Sequence, residues 1–172
     1  DRYAFIELSS EFQLRLLSAG LRWISGKFYH PRFKSLKRIL NFILKHQSIS
    51  GVTLMGCVIK SKRQKIVLTR EFKALPERQA VSKPQFIWDN KWNLEVDPSK
   101  VNCSEVGPLG KNGLEQIKKE DRKGVPFDAI ISSVTMFEND QVQCVPLLSY
   151  GKGLGSELVG GEDSFFNFLS TY

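Results

Sequence analysis

The stretch VTLMGCVIKSKRQKIVLT, residues 52–69, decides how this chain of 172 residues folds. Residues 52–59 and 66–69 are rich in β-branched and aliphatic side chains, which favour strands. Between them, residues 60–65 hold four cations, and charge of that density is typical of a solvent-exposed turn. The stretch therefore predicts a β-hairpin whose tip projects positive charge.

Two helices are predicted before the hairpin. The first covers about residues 11–25, where apolar residues recur at helical spacing and Ser10 and Gln13 have the form of a capping box. The second covers about residues 32–46, directly after Pro31. Its two faces differ in character: the apolar face holds Phe33, Leu36, Ile39, Leu40, Ile43 and Leu44, and the opposite face holds Lys34, Lys37, Arg38, Asn41 and Lys45.

Charge is strongly segregated along the chain. Residues 12–70 contain thirteen lysines and arginines and no acidic residue, although the whole chain has a net charge of only +7. A polyanion is the simplest partner for such a window, because each phosphate contact needs a cation and releases condensed counterions. Basic amphipathic helices also bind membrane surfaces and acidic partner proteins, so the pattern alone does not select RNA.

The composition changes after Pro76 towards acidic and turn-forming residues. We therefore predict a linker at 76–85 between a helical and hairpin region at 1–75 and a small α+β domain at 86–172. The later domain is expected to contain two short strands about an Asp89-Asn90 turn, a short helix at 114–121, and a strand pair at 127–137 and 142–148. The predicted fold class of the whole chain is α+β.

Catalytic signatures are weak in this sequence. His30 and His46 have no cysteine or second histidine at metal-ligand spacing, so no metal site is predicted. Residues 151–156 are rich in glycine but lack the spacing of a phosphate loop. The three cysteines have no CxxC pair and are expected to be reduced core residues of a cytoplasmic protein. The apolar runs are too short to span a membrane.

The order of several short motifs carries a family resemblance. A strand with Thr53-Leu54-Met55-Gly56-Cys57 is followed by Arg70-Glu71, and then by Trp88-Asp89-Asn90-Lys91-Trp92. In this order the motifs resemble the C-terminal portion of bacterial tRNA(Ile)-lysidine synthetases, most clearly over residues 30–95. Pro108-Leu109-Gly110 and Val145-Pro146-Leu147-Leu148 also resemble that family's tail. Asn90 stands where the family favours glycine, and Trp92 stands in place of phenylalanine.

The resemblance implies a specific parent enzyme. That enzyme would use ATP to join lysine to C2 of the wobble cytidine in a CAU-anticodon isoleucine tRNA. The family's SGGxDS loop, which binds ATP, is missing here, so ATP and Mg²⁺ are expected in a catalytic domain outside this chain, and no cofactor is expected within it. This chain would be inactive alone, and its partners would be tRNA and its own N-terminal catalytic domain, with a homodimer left open.

The candidate site consists of cations that would contact tRNA phosphates. They are Lys34, Lys37, Arg38 and Lys45 on the basic helix, and Lys60, Lys62, Arg63 and Lys65 at the hairpin tip. Phe42 is a further candidate, for stacking on a base. Two alternatives stay open: a stand-alone nucleic-acid-binding module without enzymatic activity, and a region that docks on an acidic protein.

Overall fold

The computed structural model describes residues 1–46, 48–62 and 64–170, with Lys62 described by its backbone alone. Its helices, in chain order, are α1 (Arg2–Glu7), α2 (Ser10–Ser25), α3 (Phe33–Lys45), α4 (Gly110–Glu115), α5 (Phe127–Ile131) and α6 (Ser164–Ser170). Its strands are β1 (Ser48–Leu54), β2 (Cys57–Lys62), β3 (Lys65–Arg70), β4 (Gln79–Ala80), β5 (Gln85–Trp88), β6 (Trp92–Val96), β7 (Glu105–Pro108), β8 (Val134–Glu138), β9 (Gln141–Val145), β10 (Tyr150–Gly151) and β11 (Leu154–Leu158). The predicted α+β class is confirmed.

The chain divides into two compact units. The first contains Asp1–Glu71 together with the segment that begins at Gly160, and the second contains Phe72–Val159. This division differs from the expected one, in which residues 76–85 are a linker and 86–172 form one domain. Residues 79–80 instead form β4 in a sheet of the second unit, and the neighbouring Val81 is buried in that unit's core.

The first unit contains a three-stranded antiparallel sheet in the order β1-β2-β3. The predicted hairpin is its β2–β3 pair, but the region expected as one strand at 52–59 turns in the middle. Met55 and Gly56 have φ values of +56° and +74°, a pair of left-handed residues that suits a two-residue hairpin turn. Lys60 and Lys62 lie within β2, and Lys65 begins β3, so the tip between the strands is shorter than expected.

The N-cap of helix α2 lies one residue earlier than predicted. The side chain of Ser9, and not Ser10, accepts a hydrogen bond from the backbone N–H of Phe12 at 3.5 Å. Gln13 does not close a capping box, because its side-chain amide donates to the carbonyl oxygens of Phe5 and Ile6, each at 3.1 Å. This bond ties α1 to α2. The helix ends at Ser25, as predicted, and Gly26 caps it with a φ of +65°.

Helices α2 and α3 pack on one face of the three-stranded sheet. The buried residues of this core are Leu17, Leu21, Leu36, Ile39, Leu40, Ile43, Ile49, Cys57 and Ile59. Each such aliphatic side chain stabilises the fold by about 1.5–3 kcal/mol when buried. Phe33 and Leu44, predicted on the same apolar face of α3, are instead exposed. They lie in the first and last turns of α3, at the ends of the buried row.

Helix α6 belongs to the first unit, where it packs on α2. The indole N–H of Trp23 donates to the Ser164 hydroxyl oxygen at 3.0 Å. The ring of Trp23 also meets the ring of Phe165 edge to face, with centroids 5.7 Å apart. The aromatic segment that forms α6 therefore packs against α2.

The second unit has three layers. A five-stranded sheet in the order β10-β9-β8-β7-β4 shares one core with a three-stranded sheet in the order β11-β6-β5. Its other face packs against α4 and α5 around Phe137 and Val145. Residues 127–131, expected as a strand, form α5, which begins directly after Pro126. The predicted Asp89-Asn90 turn is present, with φ values of +51° and +53°.

Candidate nucleic-acid interface

Helix α3 presents the largest group of predicted cations to solvent. Lys34, Lys37, Arg38 and Lys45 are all exposed, while the opposite side of the helix is buried against the sheet. From Lys34 to Lys45 the row extends about 16 Å along the helix axis. No acidic residue lies in α3 to form the i,i+4 pairs that neutralise an ordinary solvent-exposed helix. The exposed side of α3 is therefore a continuous cationic face.

Arg2 joins the end of this face to the β2–β3 turn. Arg2 is 7% exposed, and its guanidinium donates to the carbonyl oxygens of Ile43 at 3.0 Å and His46 at 3.2 Å. These carbonyls end α3 and have no partner within the helix, and the negative end of the helix dipole favours a cation there. The backbone N–H of Arg2 donates to the Gln64 carbonyl oxygen at 2.7 Å. A single residue thus holds the end of α3 that carries Lys45 next to the start of β3.

The cations of the hairpin do not form one patch with α3. Cys57 and Ile59 of β2 are buried under the helices, so the alternation of the strand places Lys60 on the other face of the sheet. Lys60 is half-buried, and a Cβ at Gly51 would lie 3.5 Å from its Cε, so its aliphatic stem passes over that glycine. Among the described hairpin cations, the exposed Lys65 lies next to the turn, at the same end of the sheet as Lys45. Ile66 and Leu68 of β3 pack on the core, so Lys65 shares the face of Lys60.

The backbone of Lys62 pairs with that of Lys65 across β2 and β3. Arg63 and the side chain of Lys62 lie outside the described residues.

Exposed aromatic rings lie among the cations at the loop between α2 and α3. Phe28 is 78% exposed, Tyr29 62% and Phe33 59%. The Lys27 ammonium lies 5.8 Å from the Tyr29 ring centroid, and the Lys37 ammonium lies 5.9 Å from that of Phe33. Sequence reasoning missed Phe28 and Tyr29; the available signal was three aromatics and three cations within residues 27–34.

Phe42, the predicted stacking residue, is partly covered. It is 39% exposed, and its ring centroid lies 4.4 Å from that of His46 at an interplanar angle of 52°. Arg2 was also missed by sequence reasoning, and no motif marks a single arginine in a helix of six residues.

Arg78 and Lys100 of the second unit bond to carboxylates within it. The guanidinium of Arg78 bonds to Asp140 and Glu105 and lies 3.8 Å from the Phe137 ring centroid. Hydrogen bonds from the Ser99 hydroxyl and backbone N–H hold the pKa of Asp97 below its ordinary value. The carboxylate of Glu138, 3.0 Å from the Lys100 ammonium, raises the pKa of Lys100. Trp88 is 2% exposed and serves the core.

Pro108-Leu109-Gly110 lines a cleft of the second unit. The cleft has a volume of about 590 Å³ and is also lined by Phe72, Lys73 and Lys111. A Cβ at Gly110 would lie 3.4 Å from the ring of Phe72, so this glycine lets the ring lie against the backbone. The cleft combines an aromatic wall with two lysines at its rim.

The glycine-rich segment at 151–156 connects β10 of the five-stranded sheet to β11 of the three-stranded sheet. Gly151 pairs with Cys144 in β10 and β9, and a Cβ at Gly151 would lie 1.7 Å from the Gln143 carbonyl oxygen. Within residues 1–46, 48–62 and 64–170, no three His, Cys, Asp or Glu side chains converge as metal ligands.

The cysteines of the described part of the chain form no disulfide. All three cysteines are free, with Cys57 and Cys144 buried, as expected, and Cys103 exposed, contrary to expectation. Burial raises the pKa of the Cys144 thiol. None of the described helices combines the length and apolar character needed to cross a membrane.

Comparisons with known proteins give one consistent answer. A tRNA(Ile)-lysidine synthase of Ruegeria pomeroyi is 30% identical over 169 residues, which are 98% of this chain and 38% of that protein. A tRNA(Ile)-lysidine synthase of Rickettsia akari is 32% identical over 182 residues, or 100% of this chain and 41% of that protein. One of Rickettsia bellii is 35% identical over 104 residues, or 60% of this chain and 24% of that protein.

These similarities confirm the resemblance inferred from the motifs. The chain spans about two fifths of the length of the relatives that match it from end to end, a share consistent with a C-terminal portion. No family model and no solved structure matches the chain.

Proposed function

We propose that this chain, a homologue of tRNA(Ile)-lysidine synthases along its whole length, is the part of such an enzyme that binds the tRNA. The observation that carries the proposal is the cationic face of α3, which stands in a window of 59 residues, 12–70, without an acidic side chain. Phosphate contacts position a nucleic acid without reading its bases, and a row of flexible lysines suits that task.

Under this proposal the chemistry occurs outside the chain. The parent enzyme, acting in the cytoplasm, joins lysine to C2 of the wobble cytidine of a CAU-anticodon isoleucine tRNA and uses ATP and Mg²⁺ to do so. The residues described above supply neither a nucleotide loop nor a catalytic pair, so this chain alone is expected to be inactive. Its contribution is to hold the tRNA body through Lys34, Lys37, Arg38 and Lys45, and through Lys65 at the end that Arg2 joins to α3.

The salt dependence of tRNA binding tests the role of α3. The variant Lys34→Gln with Lys37→Gln removes two exposed cations, so the slope of log affinity against log salt should fall by up to about 2. Binding to a CAU-anticodon isoleucine tRNA is measured by fluorescence anisotropy at several salt concentrations. Since only two of several contacts are lost, part of the affinity should remain.

A matched control removes equal charge elsewhere. Lys118→Gln with Lys119→Gln also removes two exposed lysines, but these adjoin Glu120 and Asp121, whose carboxylates already offset them. The slope should then stay as in the parent chain. An unchanged slope in the α3 variant, or an equal fall in the control, would remove α3 from the interface.

The hairpin tip is tested in the same assay. Removing Lys62 and Arg63 together should lower the slope by up to about 2 if both contact phosphates. Competition with duplex DNA of equal length addresses the alternative function: equal competition would favour a general nucleic-acid-binding module, whereas retained preference for folded tRNA supports the proposed one.

A further inference from the structure

Phe28, in the loop between α2 and α3, is part of a stack of three planar side chains. The rings of Phe28 and Phe168 are stacked, with centroids 6.2 Å apart and an interplanar angle of 24°. The guanidinium of Arg22, which is 5% exposed, lies over the Phe168 ring with its Cζ 5.1 Å from the centroid. Phe28 is the outer member and is 78% exposed, so a large part of its ring faces solvent.

The loop backbone is fixed around this exposed ring. The backbone N–H of Lys27 donates to the Arg22 carbonyl oxygen at 3.1 Å, and His30 Nδ1 lies 3.3 Å from the Ser18 hydroxyl oxygen. Pro31 is buried. These anchors leave Phe28 and the 62%-exposed Tyr29 pointing outward from an ordered loop. Preorganisation of this kind reduces the conformational entropy that is lost when a ligand binds.

The loop that carries Phe28 and Tyr29 is itself cationic. Lys27, Arg32 and Lys34 lie within the same eight residues, and α6, which supplies Phe168, contains no acidic residue. An unpaired nucleotide offers both a π-face for a ring and a phosphate for a cation. Paired bases in a duplex keep their faces stacked on each other, and an acidic peptide has no planar base to lie parallel to Phe28.

We propose that the loop from Lys27 to Lys34 binds unpaired nucleotides of an RNA, with Phe28 and Tyr29 stacking on bases and the neighbouring cations contacting phosphates. The inference rests on the proposed function in taking RNA as the partner, and it adds a second kind of contact. The face of α3 would hold phosphates of the RNA body, and this loop would select a part of the RNA whose bases are unstacked.

Photo-crosslinking locates the contact directly. The probe is an oligouridine of about ten nucleotides that carries a single 5-bromouridine, a length within the range that one single-strand site covers. After irradiation with this chain and digestion with trypsin, the adduct should lie on the peptide of residues 28–32. Adducts found only on other peptides would overturn the assignment.

Affinity measurements then separate stacking from charge. Phe28→Leu should weaken binding of the oligouridine about 5- to 30-fold, and Phe28→Trp should retain it, because tryptophan keeps a flat face. Binding of a blunt RNA duplex of similar length should not change. The control is Phe12→Leu, since Phe12 is 57% exposed on α2 next to Glu11 and away from the loop.

The outcomes distinguish this inference from the function it rests on. Stacking at this loop is refuted if Phe28→Leu weakens binding of the single strand and of the duplex equally. It is also refuted if the variant weakens neither, and in that case an acidic protein becomes the better candidate to bind these rings. The salt slope for tRNA measured with the α3 variant does not depend on Phe28. If the α3 variant lowers the salt slope as expected and Phe28→Leu has no effect, only the proposed binding of nucleotides at the loop is refuted.

Discussion

At the scale of single residues, Arg2 joins two elements although no sequence motif marks it. Its side chain satisfies two carbonyls at the end of α3, and its backbone N–H bonds to the β2–β3 turn. A buried carbonyl that loses its hydrogen-bond donor retains the cost of its desolvation. The position of Lys45 relative to Lys65 therefore depends on a residue that carries no recognisable motif.

Replacing Arg2 should be costly for stability. Arg2→Gln shortens the side chain and leaves the carbonyl oxygens of Ile43 and His46 without their donor, so the free energy of unfolding should fall by about 1–3 kcal/mol. Urea unfolding followed by circular dichroism measures this change. In the control Arg15→Gln, the lost pair with Glu11 is a partly exposed i,i+4 pair, which is worth about 0.5 kcal/mol or less. Equal effects of both variants would contradict the role assigned to Arg2.

At the scale of secondary-structure elements, α6 is held by aromatic contacts. Seven residues are too few for a stable isolated helix, so its order depends on packing against α2. Trp23 supplies both a hydrogen bond to Ser164 and an edge-to-face contact with Phe165. The ring of Phe168 in α6 lies under the guanidinium of Arg22 in α2.

Removal of one of these rings should make local unfolding of α6 more frequent. Phe165→Ala removes the edge-to-face contact and the apolar area it covers, so the backbone amides of residues 164–170 should exchange with deuterium faster. The amides of β8 in the second unit should keep their exchange rates. Hydrogen exchange with mass spectrometry measures both. Unchanged exchange across 164–170 would show that the ring does not hold α6.

The elements that sequence reasoning placed correctly are those with local signals. Helix α3 has a regular apolar row, and the Asp89-Asn90 turn requires residues that tolerate positive φ. The errors arose where tertiary packing decides. Residues 52–59 contain only β-favouring residues around Met55-Gly56, so a turn and a continuous strand look alike in composition. Residues 127–131 are short and apolar, and at that length helix and strand cannot be separated by periodicity.

At the scale of the whole chain, the candidate site was only partly predictable. The acid-free window identified α3 and the hairpin, but it could not show that Lys60 lies on the opposite face of the sheet from α3. That depends on strand register, which follows from the Met55-Gly56 turn. The stack of Phe28 on Phe168 joins residues 140 positions apart, and no local pattern encodes such a contact.

The second unit should fold by itself. Residues 72–159 contain both of its cores, and every strand of its two sheets comes from within that range. Expressed alone, the fragment should show a single cooperative urea transition and dispersed amide resonances. A fragment of residues 1–71 lacks α6, so it should expose the α2 surface around Trp23 and bind more of a hydrophobic dye per molecule. A fragment 72–159 without cooperative unfolding would contradict this division.

The discontinuity of the first unit also has a consequence for synthesis. The ribosome makes α6 only after the whole second unit has been synthesised, so the nascent chain must keep the α2 surface uncovered while residues 26–163 are added. Phe28 finds its stacking partner only when Phe168 has left the exit tunnel. A chain that ends at Val159 would contain the second unit and the cations of α3, but it would lack Phe168, the stacking partner of Phe28.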